Sequence, residues 1–168
     1  GVDPDIANDY GFTGLMVASQ SGQADVVRVL LDANADPSLE AYNGLTALHQ
    51  AAAGGYTPIV EALLETGADP DLVSQNGVAP IVAAAERGHS ETVLALLAGR
   101  ADPDTPNAAG ETALIHAALN AAPGLVEALI EAGANVNTRS GSGLTPILAA
   151  SSVYSLPLVS RLHEAGAD

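Results

Sequence analysis

Four histidines and twenty carboxylates are the residues of this chain with acid–base or metal-binding chemistry to offer. Their spacing decides whether they use it. His49, His89, His116 and His163 do not cluster, and no H-E-x-x-H pair sets two imidazoles on one helical face for zinc. Asp-Pro-Asp recurs at Asp3/Asp5, Asp69/Asp71 and Asp102/Asp104, and paired hard oxygens could suit calcium. A calcium loop needs a denser donor set closed by a bidentate Glu, however, and these pairs recur because a turn recurs, so solvated turn carboxylates are the better reading. Ser19, Ser21, Ser151, Ser152 and Ser155 lack the strand-to-helix G-x-S-x-G setting of a nucleophile, and there is no glycine-rich phosphate loop. The absence of cysteine removes thiolates and disulfides. The expectation is a non-enzyme with no catalytic residue, cofactor or metal.

The spacing that does stand out belongs to the elements around these residues. Gly11, Gly44, Gly77, Gly110 and Gly143 are each 33 residues apart, as are Ala35, Ala68, Ala101, Ala134 and Ala167. Within one period, Thr46 is placed to cap a short helix carrying Leu48, Ala51 and Ala52 at helical spacing, and Gly55 can end it in the left-handed region. Thr57 is then expected to cap a second helix with Pro58 at its first position and Ile59, Val60, Leu63 and Leu64 as the apolar stripe, closed by Gly67. The linker Gly67-Ala68-Asp69-Pro70-Asp71 is rich in turn formers and poor in strand formers, so it predicts an extended, solvent-facing hairpin finger and not a continuous sheet. The fold class is all-α: stacked helix-turn-helix units joined by hairpin-like fingers.

Thr46-Ala47-Leu48-His49-Gln50-Ala51-Ala52 and Thr145-Pro146-Ile147-Leu148-Ala149-Ala150 resemble the ankyrin motif T-P-L-H-x-A. The resemblance implies one ankyrin-repeat solenoid over residues 1–168, with five units at about 8–40, 41–73, 74–106, 107–139 and 140–168. It also implies a hydrogen-bonding role for His49 at its helix start. Departures are local. Met16, Val82, Ile115 and Leu148 stand where His49 does, and Ala79 replaces the capping Thr, so those units should be less well capped. Ala121 and Tyr154 replace Gly22, Gly55 and Gly88 between the helices. A non-Gly residue at positive φ is strained, so this turn is expected to rearrange in the last two units, with Asn120 as the left-handed residue of the fourth. His116, His163, Tyr56 and Tyr154 are expected to be structural.

Both ends fall at one phase: Gly1-Val2-Asp3 opens and Gly166-Ala167-Asp168 closes inside the same turn. The expectation is a segment of a longer protein, with more chain covering the first unit. Arg161 and His163, at positions apolar in other units, then mark the fifth as near a polar cap.

With 5 basic and 20 acidic residues the net charge is −15, which repels nucleic acid and anionic membranes and favours a neutral or basic protein partner. No run reaches the roughly 20 apolar residues of a membrane span. A monomer in the cytoplasm is the expectation. Solenoid curvature makes fingers and inner helices an extended concave surface, and the resemblance implies binding there. By period, the candidate residues are Tyr10, Phe12, Tyr42, Asn43, Leu45, Gln75, Asn76, Val78, Glu86, Arg87, Glu111 and Asn120. Three of the five aromatics, Tyr10, Phe12 and Tyr42, fall among them, and aromatic and Arg side chains dominate hot spots, so the first three units with Arg87 are the expected patch. The alternative function is a passive spacer or scaffold in a larger protein, its acidity reflecting salt or genome bias.

Overall fold

A computed structural model describes residues 3–168; Gly1 and Val2, assigned above to the opening turn, lie outside the described residues. Ten helices follow in pairs: α1 (Gly14–Gln20) and α2 (Ala24–Asp32), α3 (Ala47–Gly54) and α4 (Thr57–Glu65), α5 (Pro80–Glu86) and α6 (Ser90–Ala98), α7 (Ala113–Leu119) and α8 (Pro123–Glu131), α9 (Pro146–Ser152) and α10 (Leu156–Glu164). Odd-numbered helices pack side by side in one row, even-numbered helices in a second, and each pair folds back on itself. The result is an all-α solenoid of stacked helix pairs. One core runs its length, and Ala51, Ala52, Ala84, Ala85, Ala117 and Ala118 have no exposed surface, so small side chains let the inner helices approach closely.

The inter-helix turn corrects the sequence expectation. Ala121 (φ 50°) and Tyr154 (φ 56°) occupy the left-handed region just as Gly22, Gly55 and Gly88 do, while Asn120 (φ −80°) does not. The hydrogen bonds explain why. In every pair the residue after this position donates its N–H back five residues, as in Gln23 to Ala18 O, Tyr56 to Ala51 O, Ala122 to Ala117 O and Ser155 to Ala150 O. The left-handed residue itself also donates, Ala121 to Ala118 O at 3.1 Å and Tyr154 to Ser151 O at 3.1 Å. Two such bonds, each worth about 1 kcal/mol net, offset the roughly 1–2 kcal/mol cost of a left-handed L-residue. Tyr154 is also 94% exposed, so its ring packs nothing and the expected structural role is absent.

Two further expectations shift. Thr57 is the first helical residue and Tyr56 the N-cap; the Thr57 hydroxyl instead lies 2.9 Å from that of Thr92 on the next outer helix. Arg161 does not face away from the stack: its Nη2 donates to Glu127 Oε1 at 2.8 Å and its Nε to Oε2, tying α10 back to α8 and holding the Glu127 carboxyl below its ordinary pKa. His163 is exposed.

The recurrent carboxylates are committed to the backbone. The Asp3, Asp36, Asp69 and Asp102 side chains accept from the N–H two residues on. Asp5, Asp71 and Asp104 accept from the N–H of Asp36, Asp102 and Asn135 in the next repeat's turn, 31 residues on, at 2.8–2.9 Å. Asn137 does the same for Asp168. The ladder breaks at Ser38, whose hydroxyl donates to Asp36 at 2.6 Å and so holds that carboxyl below its ordinary pKa.

Candidate interaction surface

Between pairs the chain forms the expected fingers, and among the described residues no strand is present beyond an isolated bridge between Ala7 and Thr13. Each finger closes on itself: Ala41 N–H donates to Leu45 O and Gly44 N–H to Ala41 O, with matching bonds at Ser74/Val78 and Asn107/Glu111. The fingers also bond to each other, Tyr42 N–H to Tyr10 O and Gln75 N–H to Asn43 O, both at 3.1 Å. Gly44, with φ 74°, is required twice over, because a Cβ there would lie 2.8 Å from the Gln75 backbone nitrogen.

His49 fastens this row to the helices. Its Nε2 lies 3.1 Å from Val78 O, which can only accept, so Nε2 carries the hydrogen. Nδ1 is then the acceptor for Thr46 N–H at 3.2 Å, and the Thr46 hydroxyl caps the His49 amide in return. This reciprocal cap occurs in the second pair, as the motif resemblance implied. Burial pushes the His49 pKa down, against the Val78 and Leu72 carbonyls and the Glu40 charge, which favour the cation. The start is weaker in the third and fourth pairs, where Ala79 offers no acceptor and Thr112, its hydroxyl facing Thr138 at 3.3 Å, makes no cap bond. In the first and last pairs, contrary to the expectation of poorer capping throughout, Thr13 and Thr145 accept from Met16 and Leu148 N–H at 3.4 Å as Thr46 does, and only the reciprocal histidine half is missing.

Tyr10, Phe12, Tyr42, Asn43 and Gln75 come together around a shallow cavity of about 260 Å³. Tyr10 and Tyr42 are 72% and 73% exposed; Phe12 is half-buried against the core. The Tyr42 ring lies against Gly11, where a Cβ would come within 2.9 Å of Cδ1, and Gln75 Nε2 donates to Tyr42 O at 2.7 Å. The ring thus lies over Gly11 while Gln75 fixes the backbone that carries it. Asn76 is exposed in the next finger, while Leu45 and Val78 are half-buried.

The remaining candidates lie elsewhere. Arg87 shares a separate cavity of about 270 Å³ with Gln20, Gln50, Ala53, Gly54 and Tyr56, at the far ends of the inner helices. Glu86 is exposed beside it. Asn120 Nδ2 donates to Ala85 O at 2.8 Å and so joins two turns. Glu111 bonds Asn107 and stands 3.3 Å from His116 Nε2, off the line of a hydrogen bond, so that buried nitrogen has no partner. Sequence reasoning missed Gln50 and Tyr56 as groove residues. Gln50 was detectable, being the amide at a phase otherwise held by Val17, Ala83, His116 and Ala149. Tyr56 packs over Gly22 and Gly54, as a structural role requires, and lines the cavity as well.

No group of three or more His, Asp or Glu residues that could hold a metal occurs among the described residues, and none of their helices is long and apolar enough to cross a membrane. No curated protein matches the chain. A family model described as ankyrin repeats (3 copies) matches residues 1–74, 55–140 and 81–168. Ankyrin repeats are generally protein-interaction modules, on a fold that is typically non-catalytic. Since the matched stretches together span the helix pairs from first to last, the chain belongs to the ankyrin-repeat family.

Proposed function

We propose that the chain is a non-catalytic protein-interaction module. It is one domain of five repeats, one per helix pair, at about 8–40, 41–73, 74–106, 107–139 and 140–168, and a monomer in isolation. It takes a neutral or basic partner on the concave side formed by fingers and inner helices. The observation that carries this reading is the pair of exposed tyrosines, Tyr10 and Tyr42, on mutually bonded fingers around one cavity with Asn43 and Gln75. A solvated spacer has no use for two large rings in water, whereas an interface gains most from rigid aromatic area. The net charge of −15 selects against acidic partners.

An affinity pull-down compares the chain with its Tyr10→Ala/Tyr42→Ala variant. Partners recovered by the first should be lost by the second, while the melting temperature is unchanged. Equal recovery would remove this patch and leave the spacer reading.

A further inference from the structure

The finger-tip cavity has a shape and a set of free groups that restrict what can enter it. Three modes of peptide recognition recur: addition of a strand to a sheet edge, a helix in a groove, and docking of a polyproline-II segment on aromatic rings. The first is closed between these fingers, since Tyr42 N–H already donates to Tyr10 O and Gln75 N–H to Asn43 O. The second needs a trough for a cylinder about 10 Å wide. A cavity of about 260 Å³ between neighbouring fingers is too small for that. The third fits. Polyproline II is narrow and stiff, so it loses little freedom on binding a shallow surface, and its carbonyls have no internal partners.

The groups at the cavity match those needs. The Tyr10 and Tyr42 rings present flat apolar faces for proline rings, with Phe12 between the fingers and the core. Asn43 spends only its oxygen inside the chain, on Leu45 N–H at 3.2 Å, which leaves its amide hydrogens and the two tyrosine hydroxyls as donors to peptide carbonyls. Gln75, committed to Tyr42 O, fixes the finger backbone that carries the ring. Asp9 and Glu40 are exposed on these same two fingers. They would meet a cation on the incoming segment, and a tyrosine face accepts one too.

We propose that this groove, the one on which the interaction reading rests, binds a proline-containing polyproline-II segment flanked by Lys or Arg. The proline rings lie against Tyr10 and Tyr42, the segment's carbonyls accept from Asn43 and the tyrosine hydroxyls, and its cation faces Asp9 and Glu40.

The test is a selection of displayed random dodecapeptides on the whole chain, followed by fluorescence anisotropy with labelled synthetic copies of the enriched sequences. Enriched peptides should carry spaced prolines beside Lys or Arg. Replacing the prolines by alanine should weaken binding at least about tenfold, as should Tyr10→Ala or Tyr42→Ala in the protein. Tyr42→Phe, which keeps the ring over Gly11 and removes one donor, should weaken it about threefold. Peptides without proline that still require Tyr10 and Tyr42 would overturn the polyproline assignment and leave the interaction surface standing. Enriched peptides indifferent to both tyrosines, or no enrichment at all, would overturn both.

Discussion

The turns of the first two helix pairs and those of the last two share one backbone and differ in what stands over it. At Gly22 and Gly55 the next pair sets a ring on the turn: a Cβ would lie 2.6 Å from Tyr56 Cε1 at the first and 2.6 Å from His89 Nδ1 at the second. The same phase brings Ala122 toward Gly88 and Ser155 toward Ala121. A Cβ on Gly88 would meet only Asn120 Nδ2, at 3.8 Å. The left-handed conformation therefore does not by itself demand glycine here. A ring 34 residues on demands it, because φ strain costs about 1–2 kcal/mol and can be borne, whereas a side chain cannot share space with an aromatic ring.

The sharpest way to break this comparison is to add one methyl group at each turn. Gly22→Ala and Gly55→Ala should each destabilise by about 2–4 kcal/mol, the sum of φ strain and overpacking. Gly88→Ala meets strain alone and should cost about 1 kcal/mol. Urea unfolding midpoints measure all three. Equal losses would mean that the ring overhead is irrelevant and that backbone conformation alone selects glycine.

The next largest effect concerns helix starts. His49→Val installs the residue that Val82 provides at the same phase in the third pair. It also leaves Val78 O and Thr46 N–H without their partner, so a loss of about 2 kcal/mol is expected despite the apolar site. The histidine carries a pH signature as well. Its folded pKa lies below the unfolded value near 6.5, so the unfolded chain binds the extra proton first. Stability from this group is complete above that value and is lost as pH falls below it toward the folded pKa. The thermal midpoint of the unaltered chain should drop between pH 7 and 5, and that of His49→Val should drop less. Asp36, also depressed, adds its loss only below the carboxylate value of 3.8. Parallel pH profiles for both proteins would dissociate His49 from the effect.

Going the other way, Ala121→Gly and Tyr154→Gly should relieve strain. Glycine gives back part of the gain through its freer unfolded chain, leaving about 0.5–1 kcal/mol of stabilisation each. A gain at Ala121 with none at Tyr154 would show that the last turn frays before the rest unfolds, a contrast that amide exchange at Tyr154 and Ser155 would report.

Periodicity explains both what could be read without coordinates and what could not. Five phased copies make Gly44, Thr46 and Leu63 interpretable, because each is judged against four counterparts, and the helix pairs, fingers and His49 cap followed. The fate of Ala121 and Tyr154 did not. The deciding residue stands a full period further on, so comparing the turns with one another saw the substitution and missed the vacated space over it. The candidate surface divided for a similar reason. Phase placed Arg87 and Tyr42 on one side of the molecule, yet an inner helix separates helix ends from finger tips, and Gly54 and Ala53 open a second cavity by having little or no side chain.

A comparison of comparable size tests whether one residue type means the same thing at the first and last pairs. Ser19 and Ser151 share a phase, and Ala52, Ala85 and Ala118 stand between them. Ser19 has no exposed surface and its hydroxyl has no partner, whereas Ser151 is exposed and donates to Ile147 O at 2.8 Å. An unpaired buried hydroxyl costs about 1 kcal/mol or more on mutational scales, and alanine is already accommodated at this position three times over. Ser19→Ala should therefore raise the melting temperature by about 2–4 °C for a chain of this size. Ser151→Ala exchanges a solvated bond for solvent and should change it by less than about 1 °C. If Ser19→Ala instead lowers the midpoint, the hydroxyl has a partner such as a trapped water, and the first pair is more polar inside than its alanine-lined neighbours.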